Sequence, residues 1–364
     1  MELSIGIVGL PNVGKSSLFN AITNASVPSQ NYPFCTIEPN IGIVPVPDPR
    51  LKILSDITGS EKIIPATIKF VDIAGLVQGA AKGEGLGNKF LSNIRQTSVI
   101  AHMVRGFEDP NIIHVHGQVN PIIDIEVVNT ELLLADLEMV QKLLDNQSKK
   151  IKTHDKDELH KFEALKKCLA ALQSEKPVRS VLFSEEESRN LRDIHFLTAK
   201  KVIYVVNVSE SDAVKGNDFV FQVQEYAKKW GDQVLFLCVK LEEELSVLSE
   251  IEKQDYLKEL GLSSSGLEHL AVKSFFLLSL QTYLTSGQKE TRAWTIPVGT
   301  KAPQAAGVIH TDFEKGFIRA NIVSYDHFVS CQGLKLAKEK GLVRQEGKEY
   351  IMQEGDIVEF LFNV

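Results

Sequence analysis

Apolar residues cluster near the N-terminus in a short run, Leu3, Ile5, Ile7 and Val8, which suits a buried parallel strand. Leu18, Phe19 and Ile22 then recur at helical spacing. Between them lies a glycine-containing loop, so the chain opens as strand, loop and helix. Further apolar runs stand at residues 41–46, 68–73, 99–104, 202–208 and 234–239. Most are separated by helical or loop segments, the rhythm of a mostly parallel α/β sheet.

Residues 128–198 break that rhythm. Leu132, Leu133, Leu134 and Leu137, then Leu143, Leu144, Phe162, Leu165, Leu169 and Leu172, recur three and four apart among Lys and Glu. The pattern predicts two or more amphipathic helices forming a hairpin or coiled coil. Residues 146–180 carry nine Lys/Arg against five Asp/Glu. Two readings fit this basic excess: a solvated helical face, or an arm that touches RNA or a partner. From residue 281 the character changes again. Segments 295–298, 306–309, 318–323 and 356–362 read as short strands, with one helical stretch at 334–340, as in a small α+β domain. That domain has ten basic and ten acidic residues, so its charge says nothing about nucleic acid.

The composition is that of an ordinary soluble globular protein, 43% hydrophobic and 24% charged. At 364 residues it is too long for one compact core. The net charge of −7 argues against a strongly basic nucleic-acid binder, and no DNA partner is expected. No apolar stretch reaches the length of a membrane span, and the N-terminus enters a strand directly with no signal-peptide pattern. The four cysteines, Cys35, Cys168, Cys238 and Cys331, form no C-x-x-C pair. A reducing, cytoplasmic setting is the expectation.

The loop after the first strand reads Gly9-Leu10-Pro11-Asn12-Val13-Gly14-Lys15-Ser16, which fits G-x-x-x-x-G-K-[ST]. In that pattern backbone N–H groups turn inward around a nucleotide's phosphates, and the following helix adds its positive end. Asn12, Val13, Gly14, Lys15, Ser16 and Ser17 are therefore the candidate nucleotide cradle. Lys15 would reach the β- and γ-phosphates and Ser16 would ligate Mg²⁺.

Further along, Asp72-Ile73-Ala74-Gly75 closes a buried strand. An Asp there suits a water-mediated Mg²⁺ contact, and the N–H of Gly75 could reach the γ-phosphate. Thr36, in a loop rich in Pro, Asn and Tyr, offers a second Mg²⁺ ligand of the kind a γ-phosphate switch uses. Gly75, Gly79, Gly83, Gly85 and Gly87 suggest a segment that rearranges on nucleotide exchange.

Residues 9–17, 31–40, 72–90, 207–210 and 292–319 together resemble the YchF / Obg-like ATPase family of P-loop NTPases, over essentially the whole length. The resemblance implies a G-type nucleotide domain at 1–127 and 199–280. It also implies a helical coiled-coil insertion at 128–198 and a C-terminal α+β TGS domain of β-grasp type at 281–364. TGS modules are associated with RNA or ribosome contact, so the ribosome, with its large subunit and rRNA, is the expected partner. GTPases usually close the base site with N-K-x-D; here Asn207-Val208-Ser209-Glu210 stands instead. The lysine is absent and the acceptor, Glu210, is one methylene longer, which weakens discrimination for guanine. The resemblance implies ATP, with Asn207 and the backbone near Val208 at the adenine.

Leu76 occupies the position where Ras-like enzymes carry a water-orienting Gln, so another group must orient water. The resemblance points to His114, making His114 and Lys15 the candidate catalytic residues; His102 and His116 read as structural and surface. Asn12 also resembles the asparagine that coordinates K⁺ in related NTPases. The reading is an ATPase with Mg²⁺, and possible use of K⁺, whose nucleotide state controls ribosome docking. A GTP-dependent Obg-class factor and a non-hydrolysing nucleotide-binding module remain its alternatives.

Overall fold

The computed structural model describes residues 3–25, 40–73, 86–115, 117–148 and 156–363. The chain divides into two compact units. The first takes in the described residues of Met1–Ala25, Glu38–Gly42 and Lys69–Leu267; the second takes in Ile43–Ile68 and those of Glu268–Val364.

The first sheet comprises β1 (Ser4–Val8), β2 (Ile41–Pro45), β4 (Thr67–Asp72), β5 (Val99–Arg105), β6 (Lys201–Asn207) and β7 (Gln233–Leu237), in the order β2-β4-β1-β5-β6-β7. β1 runs parallel to both β4 and β5, β5 to β6, and β6 to β7. All of β1 and β5 is buried. That is why these strands read as continuous apolar runs rather than alternating ones. Around the sheet stand α1 (Lys15–Asn24), α3 (Leu86–Gln96), α7 (Asp218–Lys228), α8 (Val239–Leu245) and α9 (Glu250–Glu259).

The stretch read from sequence as amphipathic helices holds α4 (Pro121–Ser148), α5 (Lys156–Gln173) and α6 (Glu185–Leu191). α4 starts at Pro121, earlier than the apolar stripe alone suggests, because Asn120 accepts bonds from the N–H groups of Ile122 and Ile123 and starts it there. α4 and α5 share a core of Val140, Leu165, Cys168 and Leu172. Ser184 and Glu187 form a capping box at the head of α6.

The second unit carries the sheet β11-β10-β12-β8-β9-β3. Its strands are β3 (Ile63–Ile64), β8 (Leu280–Ser286), β9 (Thr291–Pro297), β10 (Phe317–Val323), β11 (Arg344–Glu346) and β12 (Ile357–Phe362). Pairing is antiparallel for β8–β9, β10–β12 and β10–β11, and parallel for β12–β8 and β3–β9. Its helices are α2 (Pro49–Thr58), α11 (Ala302–Ile309), α12 (Thr311–Lys315), α13 (Tyr325–Ser330) and α14 (Leu334–Glu339), with α10 (Gly266–Leu277) leading into it.

Segment 306–309, read from sequence as a strand, is instead the end of α11. Pro303 sits in its first turn, and Ala302, Ala305 and Ala306 are buried at helical spacing against Tyr283, Trp294 and Ile296. A short Ala-Gly-Val-Ile run does not distinguish strand from buried helix by period alone.

Residues 43–68 leave the first sheet at β2 and return to it in β4. Between the two, α2 and β3 build part of the second unit. Asp48 caps α2 through the Arg50 N–H, and the Arg50 guanidinium bonds Asp48, Thr282 Oγ1 at 3.1 Å and Glu354 at 2.6 Å. The Thr58 and Ser60 hydroxyls bond those of Ser286 and Thr291 at 3.0 and 2.6 Å.

Candidate functional site

The phosphate loop has the backbone its glycines imply. Gly14 takes φ +102°, and a Cβ there would meet Asn207 Nδ2 at 2.6 Å; one at Gly9, with φ +153°, would meet the Met103 carbonyl at 2.4 Å. Both positions need a residue without a side chain. Asn12 adopts φ 63°, a left-handed conformation that Asn tolerates better than most residues. α1 begins at Lys15 with no side-chain cap, so its first-turn N–H groups lack helical partners. Ser16 at this end is exposed and Ser17 is half-buried.

Lys15 Nζ donates to the carbonyls of Gly9 and Leu10, at 2.8 and 2.6 Å. Burial pushes its pKa down to about 8, with the charge of Asp72 opposing the shift. Asp72 is pushed the other way by burial, above the usual carboxylate range, with Lys15 opposing. Its buried Oδ1 has no hydrogen-bond partner. A buried carboxylate oxygen without a partner is costly unless something binds it, and this one lies within reach of the Lys15 charge. These residues fit a Mg²⁺-polyphosphate group. Among the described residues no three His, Cys, Asp or Glu side chains group as a metal cluster. Mg²⁺ does not need one, since it takes one or two protein ligands together with substrate phosphates.

The loop after β5 carries His114, which is 9% exposed. Its Nε2 lies 3.0 Å from Asp124 Oδ2, in the first turn of α4. This contact with the carboxylate fixes the orientation of the imidazole ring. Asn12 Nδ2 donates to the Ile113 carbonyl at 3.1 Å, which ties the phosphate loop to the residue preceding His114. Arg105 anchors the same loop. It is 1% exposed and donates to the carbonyls of Phe107, Asp109 and Ile112. Sequence reading missed Arg105 and Asp124. A charged residue ending a fully buried strand was the available signal for the first; nothing local marks the second.

Asn207 joins two further segments. Its Nδ2 donates to the Val13 carbonyl and its Oδ1 accepts from the Val239 N–H, each at 3.1 Å. Both ends of this buried amide are thus engaged within the protein. Val208 is 2% exposed, and its N–H bonds the Leu237 carbonyl. Glu210, in a short 3-10 turn, is exposed, with Lys240 Nζ 3.8 Å away. His102 lies in β5, 2% exposed, as expected of a strand residue. Thr36, Gly75, Leu76 and His116 lie outside the described residues.

Comparison with known proteins places this arrangement. A family model described as 50S ribosome-binding GTPase matches residues 4–207, and the YchF-GTPase C-terminal model, described as a protein of unknown function, matches residues 280–363. The chain is 53% identical to the ribosome-binding ATPase YchF of Bacillus subtilis over 366 residues and 52% identical to that of Escherichia coli O157:H7 over 364, covering all of each. Among solved structures, the YchF GTPase of Schizosaccharomyces pombe superposes with a TM-score of 0.89 at 38% identity, covering 99% of this chain and 97% of that one. No helix among the described residues is long and apolar enough to cross a membrane.

Proposed function

The chain belongs to the YchF family, and we propose that it is a ribosome-binding ATPase, hydrolysing ATP to ADP and phosphate. Asn12, Val13, Gly14, Lys15, Ser16 and Ser17 cradle the phosphates, with Gly75 at the γ-phosphate. On binding, Lys15 exchanges the Gly9 and Leu10 carbonyls for phosphate oxygens. Ser16, Thr36 and, through water, Asp72 would hold Mg²⁺. When bound, the ion neutralises charge developing on the phosphates. His114, kept in one orientation by Asp124, positions the attacking water. Asn12 Nδ2 is committed to Ile113, which leaves its Oδ1 as the atom for a K⁺ contact.

Glu210 and the backbone near Val208 line the adenine end, while Asn207 positions the phosphate loop from beneath. The observation that carries ATP over GTP is the buried Val208 side chain, which offers no stem along a base where N-K-x-D would supply lysine. The second reading, GTP, is favoured by the words GTPase in the family description and in the yeast structure's name. Titrating ATP and GTP against the same preparation separates the two.

The partner is the ribosome through its large subunit and rRNA, met by the helical insertion and by the C-terminal sheet acting as a TGS module of β-grasp type in the cytoplasm. Single-turnover phosphate release with and without ribosomes tests the whole reading. ATP bound without phosphate release in both conditions would make the protein a nucleotide-dependent binding module instead.

A further inference from the structure

The loop that carries His114 leaves β5 at Gly106, and Gly106 is gripped from both sides by the end of β6 and the segment that follows it. Its N–H donates to the Asn207 carbonyl at 2.7 Å, and its own carbonyl accepts from Asn217 Nδ2 at 2.8 Å. A Cβ at Gly106 would meet Val206 Cγ1 at 2.5 Å, so the backbone here packs directly on β6. β5 and β6 are parallel neighbours, and both loops stand at the strand ends where open α/β sheets bind their ligands. Beyond Gly106 the loop is tied every few residues. Arg105 takes the carbonyls of Phe107, Asp109 and Ile112, Asn12 takes that of Ile113, and Asp124 holds the His114 ring.

Asn217 does more than its place at the head of α7 requires. Its Oδ1 accepts from the Val220 N–H, which is the whole task of an N-cap and one that Ser or Asp performs as well. Nδ2 is surplus to that task. It donates to two acceptors, the Gly106 carbonyl and, at 2.9 Å, Asp212 Oδ2. The three contacts together fix the amide's orientation, because a flipped amide would set oxygen against a carbonyl and a carboxylate. Asp212 ends the 3-10 turn that Glu210 begins, and Ser209 Oγ donates to the same carboxylate oxygen at 2.8 Å. One side chain thus ties that turn to the root of the His114 loop.

We propose that Asn217 is a positioning residue for ATP hydrolysis, which sets His114 by holding the root of its loop against the turn Glu210–Asp212. The proposal rests on the reading of His114 as the group that positions water. Asn217→Ser keeps a capping oxygen for α7 and deletes Nδ2. The measurement is single-turnover phosphate release with all ATP bound, so that changes of affinity do not enter, and urea midpoints verify the fold of each full-length variant. Release should fall roughly 3- to 10-fold, the range of one lost hydrogen bond. In a His114→Ala background the same substitution should change release by less than about twofold, because the group it acts through is gone. Asp212→Ala, which keeps Asn217 and its cap, should lower release in the same direction and lose its effect in the same background. If Asn217→Ser does not fold, Asp212→Ala decides by the same comparison. A merely structural Asn217 would give the same fold reduction with and without His114. That result, or wild-type release in folded Asn217→Ser, would overturn the proposal and leave His114 its role. No release from the wild type, or unchanged release in folded His114→Ala, would remove the His114 reading and this proposal with it.

Discussion

Replacing Asn207 by Asp changes one atom's chemistry at the base of the phosphate loop and almost nothing of its shape. Oδ1 can still accept from the Val239 N–H at 3.1 Å. The donor Nδ2 becomes an oxygen facing the Val13 carbonyl at the same distance, so an attraction becomes a repulsion. The pair is buried, and leaving one buried carbonyl unsatisfied costs about 1–3 kcal/mol. An ionised carboxylate in that position adds its own desolvation cost. At about 1.4 kcal/mol per decade, the lost bond alone is worth roughly 5- to 150-fold in an equilibrium constant. That loss divides between fold stability and nucleotide affinity, so urea denaturation and ligand titration are both needed. Tripolyphosphate, which has no base, is the deciding ligand. If Asn207 acts by holding the loop, tripolyphosphate, ATP and GTP all weaken by a similar factor. Wild-type affinity for tripolyphosphate beside weakened ATP binding would refute the positioning role and make Asn207 a base contact.

His114→Ala is expected to leave ATP affinity nearly unchanged while phosphate release falls by roughly 10²-fold; equal loss of both would make His114 structural. Asp124→Asn keeps an oxygen acceptor for Nε2 but removes the charge, so release should fall in the same direction by less. Lys15 has a pKa of about 8 before nucleotide binds, and the phosphates must raise it. ATP affinity is then greatest below pH 8 and falls by up to about tenfold per unit as pH rises through 8 toward the bound-state value. Calorimetry in buffers of different ionisation enthalpy should detect proton uptake on binding near pH 8.5, and its absence would contradict the shifted lysine. Glu210→Asp, which shortens the exposed acceptor, should move the ATP-to-GTP affinity ratio toward GTP; an unchanged ratio removes Glu210 from base selection.

The parallel strands of the nucleotide unit were legible because strands buried on both faces have nowhere to put polar residues. The phosphate loop was legible because its glycines meet steric demands within a few residues of one another. What escaped reading depends on distant partners. Asp124 gains its role from a histidine ten residues earlier across a loop. β3 is two residues long and exists only because β9 pairs with it. Val208 stands where guanine-specific proteins place an accessible lysine, and only its neighbours reveal that its side chain is buried. α11 was misread although Pro303 in its first turn and the 302, 305, 306 spacing are helix signals, because the apolar run at its end was weighed without them.

The detour of residues 43–68 into the second unit carries a consequence for how the chain is made. The bond between Thr58 and Ser286 spans 228 positions in sequence. At about 5–20 residues per second, α2 and β3 leave the ribosome roughly 10–45 s before the strands they pack against. Throughout that interval Leu51 and Leu54 of α2, both buried in the finished molecule, have no second-unit core to cover them. The stretch linking the phosphate loop to Asp72 is therefore completed by the last part of the chain to be synthesised. A nascent or truncated polypeptide ending near residue 280 exposes an apolar helix face and an unpaired strand in its middle, which makes it a substrate for chaperones and proteases.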